Sequence, residues 1–298
     1  MPASLRELRQ RRQSVTATKK ITKAMELIAS SRIIKAQRAA ARALPFTREL
    51  NRAVSAVATY SDAEHPLTKP CVDSKKAAVL YITSDRGMNG AYSSNAIKMA
   101  DRLVSKLRSE GIEPIRYVVG RKGLAHLRFR KLDLREHWEG FSDAPTFSDA
   151  KAIADRLIAD FLDTGENGVD EIWVVYTRME SMISQVPRAR RILPLEVVEG
   201  VQELDSSNIL PVYNFEPNAE MVLDALLPLY VRSRIWFYLQ QCAASQLASQ
   251  QRAMKSATDN AQQLIERLTR EANQARQAEI TQEISEIVGG AGALAEQN

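Results

Sequence analysis

The C-terminal part of the chain carries its most regular pattern of apolar and polar positions. Small and apolar residues recur there at steps of mostly three or four, which places them along one face of a helix. The positions are Met254, Ala257, Ala261, Leu264, Leu268, Ala272, Ala275, Ile280, Ile284, Ile287 and Val288. They predict one long helix that begins near Pro217 and ends at Gly289–Gly290, because glycine is common where helices stop.

A helix from Asn218 to Val288 would be about 70 residues long, or roughly 105 Å at about 1.5 Å per residue. A single globule cannot bury the apolar face of a helix of that length, so the pattern requires a partner helix. Because several positions of that face are alanine, we expect the partner to approach closely.

The N-terminal part of the chain supplies the partner. Ser4 and Glu7 have the spacing of a capping box, which starts a helix. Apolar residues follow at helical spacing, at Leu5, Leu8, Val15, Ile21, Met25 and Ile28. We expect this helix to continue to about Thr59, with Pro45 kinking it rather than ending it. The two long helices then pair antiparallel.

The middle of the chain has a different pattern, in which short apolar runs alternate with amphipathic segments. The predicted strands are Lys76–Ile82, Ile115–Val119, Glu171–Arg178 and an edge strand Val186–Pro194, and the predicted helices are Asn95–Glu110, Lys122–Phe129 and a helix from its cap at Ser148 to about Leu162. Such alternation predicts a small Rossmann-like α/β domain with a mostly parallel sheet.

The predicted fold class is therefore α+β/α/β: a long antiparallel coiled coil of N- and C-terminal helices that flanks an inserted α/β domain. The predicted divisions are 1–60 for the first helix, 61–75 for a linker containing Pro66 and Pro70, 76–216 for the α/β domain and 217–298 for the second helix.

Composition excludes several classes of protein. The chain has 298 residues, 45% of them hydrophobic and 26% charged, which is typical of a folded protein. No apolar run reaches the length of a membrane span, and the N-terminus lacks the apolar segment of a signal peptide. Cys71 and Cys242 lie far apart without metal-ligand spacing, so we expect two reduced thiols in a cytoplasmic protein and no bound metal.

The N-terminal helix is strongly basic, and only Glu7, Glu26 and Glu49 oppose its cations. The cations are Arg6, Arg9, Arg11, Arg12, Lys19, Lys20, Lys23, Arg32, Lys35, Arg38, Arg42, Arg48 and Arg52. Since the formal net charge of the whole chain is +5, the remainder is net acidic. This asymmetry indicates a polyanionic partner, which could be nucleic acid, anionic lipid or an acidic protein face, or else a solvated helix face. The scarcity of aromatic residues here disfavours nucleic acid.

The turn Thr83–Tyr92 follows the first predicted strand, where Rossmann-like folds hold phosphate. Its Gly87 and Gly90 match neither the GxGxxG nor the GxxxxGK[ST] motif, so a tight strand-to-helix turn is the favoured role and no cofactor is expected. His65, His126 and His137 are scattered, and no catalytic constellation emerges.

Four separated segments nevertheless resemble one family, the gamma subunit of bacterial F-type ATP synthase. They are Leu5-Arg6-Glu7-Leu8 with Lys20–Leu27, then Ile82–Gly87, then Ala253–Ala261, and finally Ala275–Ile284. They occur in the family's order and span the whole chain. Here the sequence departs from the family in one place: where many members have a Glu followed by an Arg pair, it has Gln246, Gln250 and Gln251, with Arg252 next.

The resemblance implies a non-catalytic rotor shaft that couples rotation of the membrane c-ring to ATP synthesis or hydrolysis in a ring of alpha and beta subunits. It implies alpha, beta, epsilon and the c-ring as partners, no cofactor, no nucleic acid, and a peripheral position on the cytoplasmic face of the bacterial cell membrane. By the same resemblance, contacts with the alpha and beta ring fall on Lys20, Lys23, Met25, Gln250, Arg252, Arg276, Gln277, Thr281, Gln282, Glu283 and Ile284. An apolar tip, Ile284 to Leu294, would turn in the ring as a bearing.

Two other classes of function stay open on the residues alone. One is a nucleotide-dependent oxidoreductase built on the α/β insert, and the other is a basic coiled-coil adaptor for nucleic acid or membrane. Co-purification with partner subunits separates both from the rotor hypothesis.

Overall fold

A computed structural model describes residues 4–60, 67, 74–195, 216 and 218–295, with the backbone alone at 40, 43, 44, 55, 58–60 and 289–295. Its elements in chain order are α1 (Leu5–Tyr60), β1 (Lys76–Ile82), α2 (Tyr92–Ser109), β2 (Glu113–Val119), α3 (Arg121–Phe129), β3 (Glu136–Trp138), α4 (Phe147–Leu162), β4 (Glu171–Met179), β5 (Gln185–Leu193) and α5 (Ala219–Ala295). The chain divides into two compact units. We call Met1–Ile28 with Gln251–Asn298 the paired-helix unit, and Ala29–Gln250 the sheet unit.

The sheet unit is built on five strands in the order β3-β2-β1-β4-β5. The pairs β1–β2, β1–β4 and β2–β3 are parallel, whereas β5 runs antiparallel to β4 at the edge. The predicted mostly parallel sheet, with an edge strand near Val186–Pro194, is thus confirmed. Every residue of β1 from Ala77 to Ile82 is buried, as expected of a central strand covered on both faces.

Helices cover the two faces of the sheet with separate apolar cores. On one face, α2 and α3 contribute side chains such as Leu103 and Leu127. On the other, α4 and the first part of α5 contribute Leu157 and Tyr238. Each parallel connection therefore carries its crossover helix, which is the arrangement that parallel strands require.

Three details of the sheet unit differ from the sequence prediction. The short strand β3 was not predicted, since three residues give too little periodicity. Helix α4 is capped by Thr146 rather than Ser148, and Thr146 forms a full capping box with Asp149. That carboxylate at the third helical position decides the cap, because it accepts a hydrogen bond from the Thr146 backbone N–H at 2.8 Å.

The long helices also differ from prediction at one end. Helix α5 continues through Gly289–Gly290 to Ala295, so the predicted stop there is wrong. Glycine costs only about 1 kcal/mol relative to alanine inside a helix, and alanines follow it here. Helix α1 runs through Pro45 without ending, as predicted. Most of the predicted linker, including Pro66 and Pro70, lies outside the described residues, and so does Cys71.

In the paired-helix unit, α1 and α5 pack antiparallel. The predicted capping box is present, with the Ser4 Oγ accepting from the Glu7 N–H at 3.3 Å. Leu8 packs with Leu268 and Ala272, and Thr22, further along α1, meets Thr258, which comes earlier in α5. Rising residue numbers on one helix therefore match falling numbers on the other, which confirms the predicted antiparallel pairing.

The buried face of α1 differs from the predicted one beyond Val15. Ile21 and Ile28 are 61% and 54% exposed, so their assignment to the seam is wrong. Thr22 and Glu26 are the buried positions instead. Leu8, Val15 and Thr22 lie seven residues apart, the repeat of a coiled coil. The prediction assigned only apolar residues to the seam. It therefore missed Thr22, the polar position of this seven-residue repeat.

Candidate functional site

Three of the predicted contact residues lie on one stretch of α1 in the paired-helix unit. Lys20 and Lys23 are exposed and Met25 is half-buried. The Lys23 Nζ donates to both carboxylate oxygens of Glu26 at 3.1 Å. Lys20 forms no hydrogen bond or ion pair with any part of the chain that the structure describes. Its charge is therefore fully presented to a partner.

Polar groups join the two helices beside these cations. The Oγ1 atoms of Thr22 and Thr258 are 2.8 Å apart and buried. The Lys19 Nζ donates to the Gln262 Oε1 at 2.6 Å. These polar contacts join α1 and α5 on the stretch of α1 that carries Lys20 and Met25.

Further along α1 toward its N-terminus, the exposed surface is a shallow basic groove. Its lining residues are Arg6, Arg9, Gln10, Arg12, Gln13, Thr16, Ala17 and Lys20. No acidic side chain lines it, so its potential is uniformly positive and favours an acidic surface. The prediction of a polyanion-facing helix thus corresponds to one defined face.

The second predicted group lies on α5 beyond the last position that α1 covers. Arg276, Gln277, Thr281, Gln282, Glu283 and Ile284 are all exposed, as is every residue from Arg276 to Val288. Their side-chain bonds stay within the helix, as when the Gln282 amide donates to the Glu286 carboxylate at 3.0 Å. A helix exposed on all sides, with isoleucines at Ile280, Ile284 and Ile287, leaves its apolar stripe for another protein to cover.

The glutamines where the sequence departs from the family lie in different environments. Gln246 is buried in the sheet unit at 3% exposure, and its Oε1 lacks a hydrogen-bond partner among the described residues. Gln250 and Gln251 are half-buried and Arg252 is exposed. Of this group, Arg252 is the most accessible to a partner.

At the carboxyl ends of β1, β2 and β3, backbone N–H groups hold the carboxylate of Asp85. Asp85 accepts hydrogen bonds from the backbone N–H groups of Gly140, Ser142 and Arg121, at 2.9, 3.0 and 3.2 Å. Arg121 is the first residue of α3, so the N-terminus of that helix stabilises the Asp85 anion. Burial raises the pKa of Asp85, but the hydrogen bonds from Ser142, Gly140 and Arg121 outweigh burial and leave that pKa below its usual value.

Two glycines near Asp85 have backbone conformations that favour glycine. Gly90 has φ 59°, a left-handed conformation that suits the predicted tight turn. Gly120 has φ 95°, and a Cβ there would lie 2.5 Å from the Thr83 carbonyl oxygen. The backbone at Gly120 therefore packs directly against the backbone at Thr83, where a larger residue would not fit.

Among the described residues, no group of three or more His, Cys, Asp or Glu side chains could hold a metal ion. None of the described helices has a stretch that is both long and apolar enough to cross a membrane.

Sequence reasoning missed Thr22, Thr258 and Glu26 as seam residues and Asp85 as an internal anion. The seven-residue spacing from Leu8 could have identified Thr22. Nothing in the sequence could have identified the role of Asp85, because its donors come from residues that are distant in the chain.

The family model described as ATP synthase matches residues 4–294. A protein named ATP synthase gamma chain from a Nocardioides species is 59% identical over 297 residues, covering 99% of this chain and 98% of the relative. Proteins of the same name from Kineococcus radiotolerans and Streptomyces coelicolor are 57% and 56% identical, over 99% and 100% of this chain and 98% of each relative.

The fold is also similar to solved structures of ATP synthase. A chain of the Euglena gracilis mitochondrial ATP synthase rotor has a TM-score of 0.64 at 16% identity, with 93% of this chain and 98% of that chain covered. A chain of the Tetrahymena thermophila central stalk and c-ring structure has a TM-score of 0.59 at 23% identity, with 80% and 99% covered. The near-complete match to the bacterial relatives shows that this chain belongs to the ATP synthase gamma chain family.

Proposed function

We propose that the chain is the central rotor shaft of a proton-translocating F-type ATP synthase, and that it couples rotation of the membrane c-ring to ATP synthesis and hydrolysis in the alpha and beta ring. The observation that carries this proposal is the surface of the paired-helix unit. Its seam is buried between two helices, while its outer faces present a groove of cations and an uncovered helix end. Such a surface suits a stiff, asymmetric element that meets several equivalent subunits in turn.

The contacts with the ring fall into three groups. Lys20 and Lys23, with Met25 beside them, would meet an acidic loop of beta, and Gln250 and Arg252 would make separate polar contacts with a beta loop. The exposed helix end would meet the ring elsewhere, through Arg276, Gln277, Thr281, Gln282, Glu283 and Ile284. Exposed ion pairs contribute only about 0.2 to 1 kcal/mol each, which suits contacts that must break and re-form as partners change.

The proposed partners are alpha, beta, epsilon and the c-ring, at the cytoplasmic face of a bacterial cell membrane. Two observations support this assembly. The curated relatives are bacterial gamma chains, and the similar solved structures include a rotor and a structure of OSCP, F1 and c-ring. The chain would touch the membrane only through the c-ring.

The chain itself would be non-catalytic. Its Gly87 and Gly90 match neither phosphate-binding motif, which supports this part of the proposal. We also propose the divisions 1–60, 61–75, 76–216 and 217–298 as functional parts: a first shaft helix, a linker, an α/β domain and a second shaft helix.

The proposal is tested by reversing the charge of Lys20 in the assembled enzyme. Lys20→Glu should lower the number of protons pumped per ATP hydrolysed in inverted vesicles while the complex still assembles, since Lys20 has no contact within the described chain. A second variant adds Lys23→Glu and should lower the ratio further. The matched control is Lys98→Glu with Arg102→Glu, two exposed cations on α2. A ratio unchanged from the native enzyme in both Lys20 variants would contradict the assigned role.

A further inference from the structure

The amino-terminal edge of the sheet holds a cleft that lies at the opposite edge from Asp85. It has a volume of about 570 Å³, within the range of small-molecule sites. It is formed by the end of α2, the start of β2 and the segment before β3. The lining residues are Arg108, Gly111, Glu113, Pro114, Ile115, Arg116, Asp133, Leu134 and Arg135.

The most unusual of these residues is Arg116, on β2. It is only 7% exposed, and its Nε has no hydrogen-bond partner among the described residues. Its guanidinium also forms no ion pair with the described part of the chain. Burying a cation without a counter-charge is costly, so a buried arginine is normally paired. A counter-anion from outside the chain would remove that cost.

A second arginine of the cleft also lacks a carboxylate partner. Arg108 is exposed at the end of α2 and pairs with no described residue. Arg135 is held elsewhere: its guanidinium donates to the Asn167 carbonyl oxygen at 2.6 Å and to the Tyr117 hydroxyl at 3.4 Å, on the face of β2 opposite Arg116. Burial raises the pKa of Tyr81 to about 12, and the charge of Arg116 and, more weakly, that of Arg108 oppose the rise.

The lining also contains two exposed carboxylates, Glu113 and Asp133. A guanidinium fork matches phosphate oxygens in pairs, and two such groups favour a phosphate group over a single carboxylate. Carboxylates repel phosphate but accept hydrogen bonds from hydroxyl groups. A ligand that satisfies both sets carries a phosphate at one end and hydroxyls at the other.

We propose that this cleft binds a phosphate ester that bears hydroxyl groups, with Arg116 and Arg108 on the phosphate and Glu113 and Asp133 on the hydroxyls. The ester could be a free metabolite or the headgroup of an anionic lipid. The turn that leads into the cleft carries exposed Phe129, Arg130 and Lys131, so a headgroup could reach it. This site is independent of the proposed rotor function.

The test is calorimetric titration of the full chain with glycerol 3-phosphate, with inorganic phosphate and glycerol as comparisons. We expect glycerol 3-phosphate to bind more tightly than phosphate, and glycerol not to bind. Arg108→Gln should weaken binding about tenfold, because it removes a charged donor. The matched control, Arg102→Gln, removes an exposed arginine from the same helix and should leave the Kd within twofold. Arg116→Met should abolish binding, and circular dichroism shows whether it folds.

A second variant tests the hydroxyl end of the site. Asp133→Asn should weaken the binding of glycerol 3-phosphate relative to that of inorganic phosphate. It relieves the repulsion of phosphate, but it replaces the carboxylate acceptor of the hydroxyl group by a weaker amide acceptor. A parallel arm measures capture of the chain by phosphatidylglycerol vesicles. Capture that depends on Arg108 but not on Arg102 identifies a lipid headgroup as the source. Two results would overturn the proposal. One is that the chain binds neither glycerol 3-phosphate at millimolar concentration nor the vesicles. The other is that Arg102→Gln weakens binding as much as Arg108→Gln.

Discussion

The two units of this chain are stabilised in different ways. In the sheet unit, β1 is buried along Ala77–Ile82 and helices cover both faces with continuous apolar cores. In the paired-helix unit, the apolar cluster is small and centred on Leu8, Leu268 and Ala272, and the seam further along α1 contains the polar pairs Lys19–Gln262 and Thr22–Thr258. The sheet unit buries its apolar side chains in its own cores, whereas most residues of the paired-helix unit are exposed. Exposed apolar and charged faces of this kind are typical of surfaces that bind other proteins.

The largest expected effect comes from emptying the core of the sheet unit. Leu80→Ala removes a fully buried side chain from β1 and should lower the free energy of unfolding by about 2 to 5 kcal/mol. Denaturant unfolding followed by tryptophan fluorescence measures it, since Trp138 and Trp236 pack against the same core. The control Leu162→Ala, at a position that is 48% exposed, should cost far less. Equal losses for both variants would show that the core is not where stability resides.

A smaller effect is expected from overpacking the seam of the paired-helix unit. Ala261 is 9% exposed, and Ala261→Leu should cost about 1 to 3 kcal/mol by forcing the helices apart. Hydrogen exchange of the amides of residues 5–28 reports the loss locally. Gln263→Leu, at an exposed neighbouring position, should leave exchange unchanged. If the two variants behave alike, the seam does not require a small residue at position 261.

Asp85 gives a pH-dependent effect in the sheet unit. Its pKa is lowered in the folded state, so it contributes stability that is present above the unfolded pKa and is lost as pH falls through the folded one. Because Asp85 is partly exposed, solvent screens its charge, and Asp85→Asn should cost only about 1 kcal/mol at pH 7 through weaker hydrogen bonds from the three N–H groups. Denaturant unfolding at pH 7 and at about pH 3 measures the difference. A cost that does not shrink at the lower pH would contradict the charge-based explanation.

The smallest effect is expected in the polar layer of the seam. Thr22→Val with Thr258→Val replaces two bonded hydroxyls by methyl groups of similar shape, so stability should change by about 1 kcal/mol or less. Hydrogen exchange over residues 15–28 should nevertheless become less uniform if the hydroxyls fix the register. The control Thr281→Val alters an exposed threonine that bonds only within its own helix.

Regular patterns in the sequence predicted most of the architecture. The alternation of apolar runs and amphipathic helices located four of the five strands, and the stripe from Met254 to Ala275 located the seam of α5. Predictions from local spacing failed where burial of a residue depends on a side chain that is distant in the sequence. The threonine at position 22 is buried because Thr258 faces it, and Ile21 is left exposed for the same reason.

The candidate site could be predicted less completely than the fold. Residue identity indicated that the N-terminal helix faces an anion, but only the structure shows which cations share one groove and that Lys23 is partly neutralised by Glu26. The cleft around Arg116 could not have been predicted, because Arg108, Arg116 and Asp133 come from three segments that only the fold brings together.

The central claim, that the helix end beyond Ala275 turns relative to a ring, is tested most directly by cross-linking. In the assembled enzyme, Glu283→Cys would be oxidised to a cysteine in the facing loop of a beta subunit. The control joins Thr22→Cys to Thr258→Cys, whose native hydroxyls are 2.8 Å apart within the paired-helix unit. The measurement is the rate of ATP synthesis before and after reductant, at known extents of cross-linking. We predict that the gamma-to-beta bond stops synthesis and that reductant restores it, while the bond within the pair leaves synthesis intact. Full synthesis with the gamma-to-beta bond completely formed would contradict rotation of this segment.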